Sequence, residues 1–279
     1  MKYRSVLGKS PEVDFVAALM HGLAADGSLY IPEHIPSMPP SLLSHLESTT
    51  LHTLAYEVLS RFIRDIPSSD LRHIIERTFN FPLPLTRLDD RVDLLELFHG
   101  PTLAFKDVGA RFMAEALSYV MSRSEKQITI VVATSGDTGS AVARGFFNVP
   151  HVTVFVLYPS GKISRLQEQQ MTTLGGNIHA VEVEGTFDDC QRLVKEALGD
   201  GSVQSVRPMT TANSINVGRL LPQIVYYFWA IAQLKRMHHG EAPPAIVVPS
   251  GNFGNLTAAL YAKKMGLPAG QCCAIHLCR

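Results

Sequence analysis

The sequence has 279 residues, 46% hydrophobic and 18% charged, a composition typical of a folded globular protein rather than a disordered or fibrous one. Its 25 basic and 25 acidic residues balance to a formal net charge of zero, so no broad positive field is available for a nucleic-acid backbone. The longest apolar stretch, Val225 to Leu234, is shorter than the roughly 20 residues that cross a bilayer. Because the N-terminus also lacks the apolar segment of a secretory signal, we expect a cytoplasmic protein that binds neither nucleic acid nor membrane.

Residues 1–84 are predicted to form a small, mainly helical domain. A turn at Ala25 to Ser28 and a proline-rich passage from Pro32 to Pro40 interrupt it, and we place its end at the run Phe81-Pro82-Leu83-Pro84. From Leu85 onward, short β-branched runs alternate with helical segments, as in a parallel sheet covered by helices. We therefore assign residues 85–279 to a second, α/β domain.

The second domain contains five predicted strands and five predicted helices. The strands are Val92 to Phe98, Ile128 to Ala133, Val152 to Leu157, Ile178 to Val183 and Ala245 to Pro249. The helices are Val108 to Met121, Ala141 to Phe147, Ile163 to Leu174, Phe187 to Leu198 and Val217 to Arg236. Right-handed crossovers between such strands give a doubly wound, mainly parallel sheet, whose ligand site lies at the carboxyl ends of the strands.

The first loop with chemical potential runs from His99 to Asp107 and ends at a predicted helix. Lys106 stands at the start of that helix, where the positive end of the dipole and burial beside Phe105 both favour a neutral amine. A lysine that forms a Schiff base needs such an amine. By position alone, however, a solvated surface lysine beside Asp107 is the commoner case.

The second loop, Ala133 to Ser140, follows a predicted strand and opens the next helix. Its small and hydroxylated residues, together with free N–H groups at the helix start, can hold a carboxylate or a phosphate. The run matches neither the dinucleotide fingerprint nor the Walker motif. A tight turn capped by Asp or Ser is the alternative without a ligand.

The third loop, Ser250 to Thr257, carries two glycines and two asparagines within five positions. Such a run favours a backbone that curls into a nest of N–H donors suited to a phosphate dianion, although a glycine-rich turn without ligand remains the alternative. If all three loops open on one edge of one sheet, they combine a reactive lysine, an anion seat and a phosphate nest. That combination favours pyridoxal phosphate, which supplies an electron sink.

The run from Leu95 to Asp107 resembles the lysine motif of the threonine synthase family. Further similarity lies in Thr134 to Ser140, in Gly251 to Asn255, and in Thr211-Ala212-Asn213-Ser214-Ile215-Asn216 with Arg219. The passage Ala24 to Pro32 is also similar to that family's helical N-terminal domain, and the resemblance extends from about Tyr3 to Pro268.

This resemblance implies a fold-type II pyridoxal-phosphate enzyme that converts O-phospho-L-homoserine and water to L-threonine and phosphate. Lys106 would carry the cofactor as a Schiff base and then move protons at the α and β carbons of the substrate. Phosphate would leave the γ carbon, and water would add at the β carbon.

The resemblance also assigns roles to further residues. Cofactor contacts would come from the phosphate loop: Gly251, Asn252, Phe253, Gly254 and Asn255. Substrate contacts would come from Ser135, Asp137, Thr138, Ser214, Asn216 and Arg219. From the residues alone, the last stretch can equally be an N-cap followed by a core helix with a solvated Arg219.

Members of this family are longer, and Ala269 to Arg279 does not resemble their continuation, so we expect an incomplete pocket. An active threonine synthase, a catalytically impaired fragment and another fold-type II lyase, such as a serine or threonine dehydratase, remain the alternatives. We expect a monomer or homodimer. No metal is expected, because Cys272, Cys273 and Cys278 around His276 lack the paired spacing of zinc sites.

Overall fold

A computed structural model describes residues 1–124, 126–237 and 243–276. Its strands are β1 (Tyr3–Ser5), β2 (Tyr30–Pro32), β3 (Leu85–Arg87), β4 (Asp93–Leu95), β5 (Ile128–Ala133), β6 (Val152–Pro159), β7 (Ile178–Val183), β8 (Met209–Thr210), β9 (Ile246–Ser250) and β10 (Cys272–His276). Its helices are α1 (Phe15–His21), α2 (Pro40–Ser44), α3 (Leu51–Leu59), α4 (Ser68–Thr78), α5 (Lys106–Met121), α6 (Asp137–Phe146), α7 (Arg165–Thr172), α8 (Phe187–Gly199), α9 (Gly201–Val206), α10 (Val217–Leu220), α11 (Ile224–Met237) and α12 (Gly254–Lys264). Short 3-10 turns lie at Leu46–Ser48 and Leu221–Gln223.

A parallel sheet with strand order β7-β6-β5-β8 lies at the centre of the α/β part of the chain. Every residue of β5 is buried, as expected for a strand covered on both faces. Ile130 and Val132 pack into the main core, which also holds buried residues of α5 and α6. Val131 and Ala133 pack on the opposite face, in a cluster that includes Cys190 of α8. The predicted α/β class with a mainly parallel sheet is therefore confirmed.

The strand predicted at Val92 to Phe98 is wrong as a member of the parallel sheet. Only Asp93–Leu95 is extended, and it pairs antiparallel with Leu85–Arg87 in a hairpin. The Asp89 carboxylate closes the turn by accepting hydrogen bonds from the backbone N–H groups of residues 91 and 92, at 2.7 and 2.9 Å. Phe98 is 48% exposed, so the apolar run that suggested a buried strand is in fact partly solvated.

The strand predicted at Ala245 to Pro249 exists, but it does not join the sheet that holds β5. Within the described ranges, β9 pairs in parallel with β10 alone. The expectation that all three loops open on one edge of one sheet is therefore wrong. The third loop approaches the others from a second sheet, through the packing of α12 against α10 and α11.

The predicted helices are found with shifted ends. Three of the five begin a few residues away from the predicted position: α5 and α6 begin earlier, and α7 begins later, after the capping residue Ser164. The long helix predicted at Val217 to Arg236 is divided into α10 and α11 by the 3-10 turn that contains Pro222. Proline lacks the backbone N–H that a continuous helix requires.

The N-terminal part is mainly helical as predicted, with an additional antiparallel pair of β1 and β2. Its core is continuous with that of the α/β part: Phe15 lies 6.1 Å from the Tyr3 ring and 6.5 Å from the Phe112 ring between centroids. Leu83, near the predicted boundary, accepts hydrogen bonds from Trp229 and Gln233 of α11. Among the helices of the described ranges, none is long and apolar enough to cross a membrane.

Candidate active site

The three predicted loops meet at one open cleft with about 710 Å³ of empty space, part of it open to solvent. Ten of the residues predicted to bind cofactor or substrate line it: Lys106, Ser135, Asp137, Thr138, Ser214, Arg219, Gly251, Asn252, Gly254 and Asn255. Phe253 and Asn216 are not among the lining residues.

Lys106 is the first residue of α5, as predicted, and its side chain is 22% exposed. The Nζ atom lies 3.2 Å from an Asp137 carboxylate oxygen and 4.4 Å from the centroid of the Phe105 ring. The alternative considered from the sequence was a solvated surface lysine beside Asp107. Instead, Asp107 is buried and accepts hydrogen bonds from the backbone N–H (3.0 Å) and the hydroxyl (2.5 Å) of Thr102. Asp107 thus braces the loop, while Lys106 faces the cleft.

The loop after β5 forms the start of α6. The Thr134 hydroxyl accepts hydrogen bonds from the backbone N–H groups of Gly136 (2.9 Å) and Gly139 (2.7 Å), so it is Thr134 that caps this turn. Gly136 has a φ of 132°, a backbone conformation that side chains strongly disfavour. The result is a tight turn that leaves Asp137 and Thr138 directed to the cleft.

The third loop, which follows β9, is shaped by Asn255. Its side chain donates to the Pro249 carbonyl (3.0 Å) and accepts from the Ser250 hydroxyl (3.0 Å) and the Leu256 N–H (2.9 Å). Asn255 therefore folds the loop back on itself, leaving Gly251 and Gly254 at the cleft wall. Phe253 is 54% exposed and points elsewhere.

Arg219 is only 2% exposed, so the alternative of a solvated arginine is wrong. One guanidinium nitrogen donates a short hydrogen bond to the Ala212 carbonyl. Its Nε atom and the Oε1 atom of Gln223 are buried without a hydrogen-bond partner in the described part of the chain. Burial lowers the pKa of Arg219 to about 10, which still leaves the group charged at neutral pH. A buried, incompletely paired cation at the cleft is a strong attraction for an anion.

Asn216 lies behind the cleft and is completely buried. Its carbonyl oxygen accepts from the Gly218 N–H (2.8 Å) as the N-cap of α10, and its amide donates to the Leu19 carbonyl (2.9 Å) and the Thr211 carbonyl (3.1 Å). These contacts fit the N-cap alternative. They tie the loop before Arg219 to the end of α1.

Five lining residues were not among the predicted site residues: Phe105, Phe187, Asn213, Gln223 and Pro249. Asn213 lies within the Thr211 to Asn216 run that resembles the threonine synthases, and this resemblance was the one signal that could have identified it. Its side chain exchanges two hydrogen bonds with the backbone of Ala133, at 2.8 and 3.2 Å, and so extends the edge of β5. Gln223 and Phe187 lie on helices whose sequence gave no sign of a ligand.

For metals, the structure shows no group of three or more potential ligands within its described ranges. Of the cysteines considered near the end of the chain, Cys278 lies outside the described residues.

Two family models match the chain. Residues 2–79 match the threonine synthase N terminus, and residues 80–277 match the pyridoxal-phosphate-dependent enzymes. The second match extends over more than half of the sequence. This chain belongs to the pyridoxal-phosphate-dependent enzyme family.

Similar proteins within this family are threonine synthases. That of Serratia marcescens is 46% identical over 269 residues, which is 96% of this chain and 62% of the relative. The crystal structure of the Escherichia coli threonine synthase superposes with a TM-score of 0.93 at 44% identity, over 99% of this chain and 64% of that one. A pyridoxal-phosphate-bound threonine synthase from Brucella melitensis gives a TM-score of 0.88 at 39% identity, over 98% and 60% of the two chains. The predicted resemblance is confirmed, and the chain spans about three fifths of the length of these relatives.

More distant solved structures share the fold alone. A diaminopropionate ammonia lyase from Escherichia coli has a TM-score of 0.55 at 17% identity. The fold is thus common to enzymes of different activity, and function has to be argued from the cleft.

Proposed function

We propose that this chain is a threonine synthase, which converts O-phospho-L-homoserine and water to L-threonine and phosphate with pyridoxal phosphate bound to Lys106. The observation that carries the proposal is the convergence of Lys106, the Ser135 to Thr138 turn and the glycine loop after β9 on one cleft. The names of the relatives at 39–46% identity support the same activity. We further propose a cytoplasmic monomer or homodimer with domains at residues 1–84 and 85–279.

The residues of the cleft fit the cofactor. Lys106 offers an amine for covalent attachment, and Gly251 has open space where a side chain would begin, with no atom within 4 Å of that position. The backbone of Gly251, Asn252, Phe253, Gly254 and Asn255 would hold the cofactor phosphate, as a glycine-rich turn before a helix does for other phosphates. When bound, the cofactor supplies an electron sink for charge that develops on the substrate.

Two groups of side chains would hold the substrate. Ser135, Asp137 and Thr138 stand at the start of α6, where hydroxyls and helix-end N–H groups suit the amino-acid end of the substrate. Ser214 and Arg219 lie on the other wall, and the buried guanidinium would bind the substrate phosphate. We propose that Asn216 acts indirectly, by capping α10 and so orienting Arg219.

Lys106 would carry the proton transfers. Nζ would take a proton from the α carbon of the substrate and one from its β carbon, and it would return protons to the γ and α carbons. Phosphate would depart from the γ carbon toward Arg219. Water would add its hydroxyl group at the β carbon, and the remaining water proton would leave with the phosphate. Phe105 and Phe187, which both line the cleft, would limit the access of further water.

The experiment that tests this proposal is reductive trapping. The purified chain is incubated with pyridoxal phosphate, reduced with borohydride and digested, and the modified peptide is identified by mass spectrometry. We expect the adduct on Lys106, its loss in Lys106→Ala, and its retention in Lys162→Ala, which alters an exposed lysine. An adduct on another lysine would refute the cofactor assignment.

Turnover is tested separately, by phosphate release from O-phospho-L-homoserine. We expect weak but measurable release by the unmodified chain, because the sequence predicts an incomplete pocket, and none by Lys106→Ala. A trapped Lys106 adduct without phosphate release from this substrate would overturn the substrate assignment while leaving the cofactor assignment intact.

A further inference from the structure

The carboxylate of Asp137 is held from two sides. One oxygen lies 3.2 Å from Lys106 Nζ, and the other accepts a hydrogen bond of 2.6 Å from Nε2 of Gln167. The Asp137 side chain is 43% exposed, so water competes for it. The bond from Gln167 is therefore what fixes which oxygen faces the lysine.

Gln167 is itself held rigidly. It is the third residue of α7, where its Oε1 accepts from the Ser164 N–H at 3.3 Å in a capping box. The backbone of Gly136 passes so close that a Cβ there would lie 2.7 Å from Nε2. Turning the amide over would place Oε1 against the Asp137 carboxylate and Nε2 against the Ser164 N–H. Only one orientation satisfies both neighbours.

We propose that Gln167 is a positioning residue that orients Asp137 toward the amine of Lys106. This inference rests on the proposed function, in which Lys106 exchanges protons with the substrate in the cleft. The Gln167–Asp137 pair would hold the proton of Lys106 Nζ on the side that faces the cleft. None of the motifs that resemble the threonine synthases contains Gln167. Through the Asp137 carboxylate, the Gln167 side chain links α7 to Lys106.

A double-mutant cycle tests this on the cofactor-free chain. Lys106 is acylated with acetic anhydride at one fixed pH, and its modification is measured by mass spectrometry relative to the exposed Lys195. An oriented carboxylate favours the unreactive ammonium form. We expect Gln167→Leu to raise Lys106 labelling about two- to five-fold, the range for loosening a partly exposed ion pair. Asp137→Asn should raise it at least as much, and Gln167→Leu should add nothing in the Asp137→Asn background.

Two matched variants separate positioning from weakening of the helix. Ser164→Ala removes the hydroxyl half of the same capping box but keeps the Ser164 N–H and the Asp137 contact. Gln169→Leu makes the same substitution at an exposed position of α7. We expect both to leave Lys106 labelling unchanged.

The proposal is overturned if Ser164→Ala matches the effect of Gln167→Leu, or if Gln167→Leu acts equally with and without the Asp137 carboxylate. Borohydride trapping of pyridoxal phosphate is run alongside on the same preparations. If trapping fails while the labelling cycle gives the expected pattern, the positioning role stands and the cofactor assignment falls.

Discussion

Replacing Asn216 should cost stability, because its side chain satisfies three buried backbone groups at once. In Asn216→Ala, the Gly218 N–H loses its cap, which costs about 0.5–2 kcal/mol. The Thr211 carbonyl loses its amide donor and becomes an unpaired buried acceptor, at about 1–3 kcal/mol. The Leu19 carbonyl keeps the Thr210 hydroxyl at 3.1 Å. We therefore expect a total loss of about 2–4 kcal/mol in the free energy of unfolding.

Two further substitutions at this position give a graded series. Asn216→Ser keeps a capping oxygen but loses the amide donor to the Thr211 carbonyl, so we expect about 1–2 kcal/mol. Asn216→Asp keeps the cap but turns a carboxylate oxygen toward two carbonyls, so we expect more than about 3 kcal/mol. The expected loss of stability therefore rises from serine to alanine to aspartate. This order follows because the asparagine side chain supplies two N–H donors and one acceptor to its buried neighbours.

Urea unfolding measures the series, with circular dichroism and the fluorescence of Trp229, the single tryptophan, as probes. Asn252→Ala is the matched control, since Asn252 is exposed at the cleft, and we expect a change below about 0.5 kcal/mol. If Asn216→Ala were as mild as this control and instead weakened the binding of inorganic phosphate, Asn216 would be a ligand and the structural reasoning would be refuted.

Three other predictions concern single positions. Gly22→Ala and Gly8→Ala both place a side chain at positive φ, which should lower the free energy of unfolding by about 1–2 kcal/mol. Only at Gly22 would the new Cβ also clash, because it would lie 2.8 Å from the Thr210 hydroxyl. Urea unfolding should therefore show the larger loss for Gly22→Ala, and equal losses would contradict the clash. The hydrogen bond from His99 at 2.6 Å lowers the pKa of Glu96, so this group stabilises the fold above its unfolded pKa and ceases to do so as the pH falls through the lower folded pKa. Glu96→Gln should therefore lower stability near neutral pH. In thermal unfolding scans the difference from the unmodified chain should vanish at acid pH, once the pH has fallen through the lowered folded pKa of Glu96; a difference that persists after Glu96 is protonated would count against this pair. Gly251→Val should weaken cofactor binding without loss of stability, because its Cβ meets open space, whereas Gly254→Val, with a Cβ 3.1 Å from that of Ser214, should reduce both cofactor affinity and stability. Spectroscopic titration with pyridoxal phosphate measures the affinity, and urea unfolding measures the stability. Unchanged affinity in both variants would contradict a phosphate role for the loop.

The sequence was sufficient where the signal was local. Ile128 to Ala133, whose residues are all buried, and Ile178 to Val183, where only Ile178 is buried, were predicted with the bounds that the structure has. Short runs rich in β-branched residues between turns favour strands. Lys106 was predicted at the start of a helix, and it is the first residue of α5. The three loops were identified by glycines, hydroxyls and asparagines that follow strands, a pattern set within a few residues of chain.

Long-range packing decided what the sequence left open. Asn216 and Arg219 are three residues apart, yet Asn216 satisfies a carbonyl 197 residues away. Arg219 instead lines the cleft, and its Nε has no hydrogen-bond partner among the described residues. The run from Val92 to Phe98 had the composition of a buried strand, but its partner is a hairpin neighbour rather than the parallel sheet. Gln167 carried no motif, and its role emerges only where α7 meets Gly136 and Asp137. Burial and hydrogen-bond partners at such positions depend on segments distant in sequence, so local pattern could predict the chemistry of the loops but not which side chains would face the ligand.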